Sequence, residues 1–151
     1  MRKHYRNDKL LPVLALALIL ICLLSGFSVK SDDSLVQYHL EERTKLMQDC
    51  FYGKISIAEA EEKLNKYETQ PLLSNDIKSL REWGRTEVDK VKKMSFTKIE
   101  KQQELLGYKT YIVDIIWEMT GLSEDYIVEE SYYVVLKKVG DKDYISQIEP
   151  L

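Results

Sequence analysis

The first constraint on this chain is an uninterrupted run of 20 residues without a charged side chain, from Leu10 to Val29. As a helix rising about 1.5 Å per residue, the run would extend roughly 30 Å, which matches the hydrocarbon core of a bilayer. Pro12 falls in the first turn of that helix, where a missing N–H removes no hydrogen bond. The sequence therefore predicts one transmembrane helix over residues 10–29.

The charges on either side of the predicted span indicate its orientation. Residues 1–9 hold four Lys or Arg residues and one Asp, a net charge of +3, whereas Ser31, Asp32 and Asp33 follow the span. By the positive-inside rule, this asymmetry places residues 1–9 in the cytoplasm as a basic tip and residues 30–151 outside as a domain. We expect a single-pass protein of the cell membrane whose C-terminal domain is extracytoplasmic.

A cleaved secretory signal is the alternative interpretation of the same segment. Gly26 and Ser28 are small residues at the exit, but Phe, Leu and Val surround them and no A-x-A sequence occurs. A lipoprotein signal is disfavoured, because Ile21 stands before Cys22 where a small residue is required. The length of the run and the poor exit site favour a retained anchor, and secretion after cleavage stays open.

Charge and composition exclude several classes for the rest of the chain. The formal net charge is −3, so the residues after the basic tip carry −6. An acidic body lacks the clustered Lys and Arg that contact phosphates, which argues against nucleic-acid binding. With 3 Pro, 6 Gly and 2 Cys, the chain is neither a collagen-like repeat nor a disulfide framework.

Apolar residues recur every three or four positions in the first part of the outer domain, as they do in amphipathic helices. Ser56 and Glu59 have the spacing of a capping box, in which each side chain satisfies a free amide of the other. Pro71 closes the following turn, and Ser74 is expected to cap a third, short helix. The three predicted helices cover about residues 34–51, 56–67 and 74–83.

The hydrophobic period changes to two after Gly84, which indicates strands. The signal is strongest between Tyr108 and Met119, where one side is wholly apolar and the other is mixed. Gly140 and Asp141 predict a tight hairpin turn. The four predicted strands cover about residues 88–101, 108–119, 126–139 and 144–148. This order predicts an α+β fold with about three helices packed on a curved four-stranded antiparallel sheet.

The aromatic residues, which include 10 Tyr and 2 Trp, are first of all candidates for the core. We expect Trp83 and Trp117 to be the largest side chains between the helices and the sheet. Alternatively, the curved sheet leaves a hollow under the helices, lined by Tyr111, Trp117 and Tyr133. Such a hollow would hold a small ligand.

The mixed side of the segment 108–119 predicts an interaction face. It presents Tyr108, Ile112, Asp114 and Ile116 as an amphipathic patch if no helix covers it. The alternative is a two-sided strand shielded by the long stems of neighbouring Lys and Glu residues. Asp114 would become a general base only if it faced a cavity, and the alternation of the strand places it on the outer side instead.

Residues with the chemistry for catalysis or metal binding are sparse in the outer domain. His39 and Cys50 lie about three turns apart on one predicted helix, too far to share a metal or to act as a nucleophile pair. Adjacent carboxylates such as Glu129 and Glu130 point to opposite faces of a strand. No phosphate-binding Gly-rich loop, nucleophile elbow or paired-His zinc motif occurs. We expect no enzyme activity, no cofactor and no metal. Cys50 is expected to be buried at the end of the first helix, and an intermolecular disulfide is the alternative.

The order of elements, above all the segments 108–119 and 126–147, resembles the cystatin-like and nuclear-transport-factor-like cone over roughly residues 34–149. A basic tip, one membrane helix and such a cone outside is similar to small anchored proteins of Gram-positive bacteria. Among these are extracytoplasmic subunits of conjugative, type IV secretion-like machines. The segment Tyr52-Gly53-Lys54-Ile55-Ser56-Ile57-Ala58-Glu59-Ala60 is similar to one found in clostridial anchored proteins.

Together, the residues and the resemblance predict a membrane-anchored, extracytoplasmic protein-interaction module without catalytic activity. The expected partners are the membrane, through a single span, and other envelope proteins, with no nucleic acid and no metal. The resemblance implies an accessory subunit of an envelope or conjugation-type complex. A small-ligand-binding or catalytic cone is the alternative, as is a secreted protein after signal cleavage.

Overall fold

The computed structural model describes residues 32–83 and 89–151, in which three helices precede four strands. The strands form one antiparallel sheet in the order in which they follow one another along the chain. The predicted α+β fold with a curved four-stranded antiparallel sheet is confirmed. The helices are α1 (Asp32–Phe51), α2 (Ile57–Leu64) and α3 (Leu72–Trp83), and the strands are β1 (Lys90–Leu105), β2 (Tyr108–Thr120), β3 (Asp125–Val139) and β4 (Lys142–Pro150).

The predicted basic tip at residues 1–9 and the predicted span at residues 10–29 lie outside the described residues. Among the helices that the structure describes, none is both long and apolar enough to cross a membrane. The described residues belong to one compact unit, Ser31–Leu151.

The starts of α2 and α3 show how local sequence sets the helix boundaries. The hydroxyl of Ser56 accepts a hydrogen bond from the N–H of Glu59 at 3.1 Å, so Ser56 is the N-cap of α2. The carboxylate of Glu59 instead pairs with Lys63, one turn further on, at 2.7 Å. Ser74 is not a cap, because α3 begins at Leu72 and the Ser74 hydroxyl donates to the carbonyl of Pro71 at 2.8 Å. The prediction for Ser74 was therefore wrong by about one turn.

The main core lies between one face of the sheet and part of the helical layer. The apolar side of β2 points inward as predicted, and its Tyr111, Val113 and Ile115 are buried. Only the first half of α1 and the start of α3 supply the helix side of this core. The buried members are Val36, Leu40, Leu72, Tyr111, Val113, Ile115, Val134, Leu136 and Ile145.

A second core joins the three helices to one another, away from the sheet. It contains Leu46, Cys50, Ala60, Leu64, Leu73, Ile77 and Leu80. Cys50 is a buried free thiol, as predicted, and burial raises its pKa. Trp83, at the end of α3, is 60% exposed, so its prediction as a core residue was wrong. The helices bury their apolar stripes against each other and leave the end of α3 outside both cores.

The edges of the sheet are obstructed on both sides. Strand β1 has register shifts at three places, and such bulges bend a strand and disrupt further pairing. It also carries five lysines, which discourage edge-to-edge association. At the other edge, Ile145 of β4 donates to the carbonyl of Tyr67 at 2.8 Å and accepts from Thr69 at 2.9 Å. These features leave the outward face of the sheet as its open surface.

Candidate functional site

The face of the sheet that points away from the helices is formed by alternate residues of β2 and β3. Because Tyr111 and Val113 of β2 pack against α1, the residues between them point to the opposite side. No helix that the structure describes packs on that side. We call it the outer face; its central residues are Tyr108, Thr110, Ile112, Asp114 and Ile116 of β2, opposite Lys137, Val135, Tyr133, Ser131 and Glu129 of β3.

An apolar strip crosses the outer face. Ile112 lies directly opposite Tyr133, and both side chains are half-buried, as is Ile116. Val135, opposite Thr110, is only 7% exposed. Tyr108 is exposed at one end of the strip, with the Lys137 ammonium 5.8 Å from the centroid of its ring. The strip is an apolar surface of moderate accessibility that continues across two strands.

Polar and charged side chains surround this strip. The hydroxyl of Ser131 donates to the carboxylate of Asp114 at 2.7 Å. Lys93 and Glu118 form an ion pair of 3.1 Å on the neighbouring row. Asp114 thus lies on the outer face with Ser131 as its hydrogen-bond partner. An apolar centre with a polar rim is the usual composition of a protein interface.

The predicted hollow under the helices is filled where Tyr111 lies. The Tyr111 side chain is fully buried in the main core, and its hydroxyl has no hydrogen-bond partner among the described residues. Burial raises its pKa to about 12. Tyr133 was expected in this hollow, but its register opposite Ile112 puts it on the outer face. Tyr132, opposite Val113, is the inward residue, and the prediction for Tyr133 is corrected accordingly.

The inner face does carry an open groove where the cover by the helices stops. Its volume is about 310 Å³, and Trp117 forms part of its wall. The Trp117 and Tyr132 rings meet edge to face, with their centroids 6.1 Å apart. Of the predicted pocket residues, Trp117 is the one that lines a concave surface. The full lining is Val91, Trp117, Met119, Tyr126, Val128, Glu130 and Tyr132.

A cluster of charged groups is buried where α1, α3 and the segment before α3 meet. Arg43 of α1 donates two hydrogen bonds to Asp76 of α3, with Nε–Oδ2 at 2.7 Å and Nη2–Oδ1 at 2.8 Å. Glu68 Oε1 lies 3.1 Å from the same Nε but accepts no hydrogen bond from it. The guanidinium is therefore oriented toward Asp76, and Glu68 is an ion-pair neighbour without a directed donor.

Glu68 differs from an ordinary carboxylate because its side chain is completely buried. Burial raises its pKa to about 9, the negative charge of Asp76 adds to the shift, and Arg43 opposes it. A proton on Glu68 also allows it to donate to Asp76. Burial thus favours the protonated form of Glu68 beside the Arg43–Asp76 pair. The surrounding protein encloses the Glu68 side chain completely.

The sequence analysis missed this pair, because it considered only carboxylates that are adjacent in the chain. Glu68 lies in a turn and Asp76 on a helix, and only the packing of α3 beside that turn brings them together. The sequence carries only a weak signal of this pair, which is that Asp76 interrupts the apolar stripe of α3 next to Ile77.

His39 is buried, and the centroid of its ring lies 5.6 Å from that of the Tyr67 ring. His39 is therefore a packed residue in the interior of the helical layer.

In the described part of the chain, no group of three or more His, Cys, Asp and Glu side chains could hold a metal ion. No protein-family model, no curated protein and no solved structure matches this chain.

Proposed function

We propose that this chain is a membrane-anchored, extracytoplasmic module that docks a partner protein through its outer face. The observation that carries the proposal is the apolar strip of Ile112, Tyr133 and Ile116 on the sheet face that no described helix covers. The inner face is largely covered, and both edges are obstructed. Docking by the outer face is therefore favoured over the addition of a strand to an edge.

The uncharged run of residues 10–29 supports the anchor, and the basic residues before it support the orientation. Confinement to one membrane raises the effective concentration of partners, so that a small interface suffices. This argument favours another envelope protein as the occupant. The resemblance to the cystatin-like cone and to subunits of conjugation-type complexes belongs to this proposal as well.

The test compares two double variants of the full chain in native membranes. Ile112→Thr with Ile116→Thr removes the apolar centre of the strip but keeps the β-branched shape that suits a strand. Leu122→Thr with Tyr52→Thr is the control, because both side chains are exposed away from the strip, Leu122 in the β2–β3 turn and Tyr52 after the end of α1. After crosslinking and purification, we expect a stoichiometric envelope partner with the original chain and the control, and its loss with the Ile112/Ile116 variant.

Recovery of the same partner with the Ile112/Ile116 variant would overturn docking by this face. Recovery of the original chain alone would overturn the interaction function itself. Resistance of all the chains to the same protease treatment controls for folding.

A second candidate function is the binding of a small apolar ligand in the groove beside Trp117. The observation that favours it is the largely aromatic and aliphatic lining of this open concave surface. The chain has 2 Trp, so Trp83→Phe leaves Trp117 as the single indole reporter. A saturable shift in Trp117 fluorescence with an apolar probe, abolished by Val128→Glu, would support this function. An unchanged spectrum would refute it.

A further inference from the structure

Two neighbouring hairpin turns form an exposed apolar tip at one end of the sheet. Leu106 lies in the turn between β1 and β2, and Leu105 and Tyr108 are the strand residues on either side of that turn. Val139 is the last residue of β3, next to the turn into β4. All four side chains are exposed. The N–H of Lys138 donates to the carbonyl of Gly107 at 2.7 Å and holds the two turns together. We call these four residues, Leu105, Leu106, Tyr108 and Val139, the tip cluster.

Leu106 is in a backbone conformation that does not suit it. Its φ is +50° and that of Gly107 is +79°, the combination for which a two-residue hairpin normally has Asn-Gly. A leucine at positive φ is strained, and this side chain gains no packing in return because it is 89% exposed. Neither the turn nor the core explains a leucine here. A surface outside the chain that buries the side chain would explain it.

The described chain begins at the same end of the sheet as the tip cluster. The carboxylate of Asp32, the first residue of α1, lies 3.1 Å from the Lys109 ammonium and 3.3 Å from that of Lys101, both close to the β1–β2 turn. Towards the other end of α1, Gln48 accepts from the N–H of Val91, near the start of β1, at 2.8 Å. Helix α1 therefore runs away from the tip end.

Few residues separate this end of the domain from the predicted span. Val29, the last residue of the predicted span, precedes Asp32 by three positions, so the chain can separate these two residues by at most about 11 Å. The proposed anchor is therefore joined to the domain at the end that carries Asp32. The tip cluster shares this end.

We propose that the tip cluster inserts into the interface of the bilayer that holds the anchor, with Leu106 deepest. The inference rests on the proposed membrane anchor. Leucine supplies buried apolar area, and Tyr108 is a residue type enriched at the level of lipid headgroups. With the tip inserted, the strands run away from the membrane surface, and a partner in the same bilayer can reach the outer face.

The test uses the full chain in native membranes, with a photoreactive diazirine residue in place of Leu106. The matched control carries the same residue in place of Leu122, which is 85% exposed in the β2–β3 turn at the opposite end of the sheet. On illumination we expect phospholipid adducts at position 106 in at least tenfold higher yield than at position 122. Equal yields, or adducts of position 106 with protein alone, would overturn the insertion.

A second measurement places the diazirine residue at Val139 and varies Leu106. Leu106→Asn removes the apolar side chain but suits the positive φ, so the turn itself is retained. We expect lipid adducts at position 139 to fall severalfold with Leu106→Asn and to stay unchanged with Leu122→Asn. An unchanged yield with Leu106→Asn would contradict the proposal.

Extraction of the membranes with carbonate tests the anchor separately from the insertion of the tip cluster. A chain that resists extraction but gives no lipid adduct at position 106 refutes insertion of the tip and leaves the anchor standing. A chain that carbonate releases refutes the anchor and, with it, the inference.

Discussion

Replacement of Glu68 by Gln should change the pH dependence of folding in a direction that the structure fixes. The folded pKa of Glu68 is raised to about 9 from an ordinary 4.5, with burial as the main cause. The folded chain therefore holds a proton on Glu68 at pH values where the unfolded chain has released it. Between about pH 5 and pH 9, folding takes up this proton, and the contribution of Glu68 to stability falls as the pH rises.

The size of the effect follows from linkage. One proton taken up on folding changes the free energy of unfolding by about 1.4 kcal/mol per pH unit. Gln has the shape of a protonated Glu and requires no proton, so Glu68→Gln loses this dependence. From pH 5.5 to pH 7.5, the free energy of unfolding of Glu68→Gln should rise relative to that of the original chain by about 3 kcal/mol.

Urea unfolding of residues 31–151, followed by tryptophan fluorescence at several pH values, measures this difference. The matched control is Glu124→Gln, the same change on the exposed β2–β3 turn, where the side chain stays in water. If the difference in free energy of unfolding between Glu68→Gln and the original chain does not vary with pH, Glu68 is ionised in the folded chain. The account of the buried cluster would then be wrong.

Three further substitutions test the packing, each by the same unfolding measurement. Arg43→Met leaves Asp76 without its buried partner and should cost about 3–5 kcal/mol at neutral pH; a cost below 1 kcal/mol would refute the buried pair. Tyr111→Phe removes a buried hydroxyl without a hydrogen-bond partner among the described residues and should stabilise by about 1 kcal/mol, whereas a loss of stability would mean that the hydroxyl is satisfied. Ser56→Ala removes the N-cap of α2 and should cost about 1 kcal/mol; no change would contradict the cap.

The sequence predicted those parts of the fold that local periodicity determines. The alternation from Tyr108 to Met119 identified the inward side of β2, because one face of that strand is buried throughout its middle. It also placed Asp114 and Ile112 correctly on the outward side. The Gly140 turn followed from the need for positive φ, which the structure shows at +66°.

Features that depend on contacts between elements could not be read from the chain. Two adjacent tyrosines, Tyr132 and Tyr133, give no indication of which one faces inward, since register depends on the pairing with β2. Trp83 was assigned to the core by its residue type, but the helices pack mainly on one another there. The proximity of Glu68 and Asp76 likewise arises only when α3 packs beside the turn before it.

The central claim, docking of an envelope protein by the outer face, is tested most directly by photocrosslinking from that face in living cells. A diazirine residue replaces Ile112 in the full chain, and a second chain carries it at Lys78, which is exposed on α3. We predict one discrete protein adduct from position 112 and none from position 78. The same adduct from both positions, or no protein adduct from position 112, would contradict the claim.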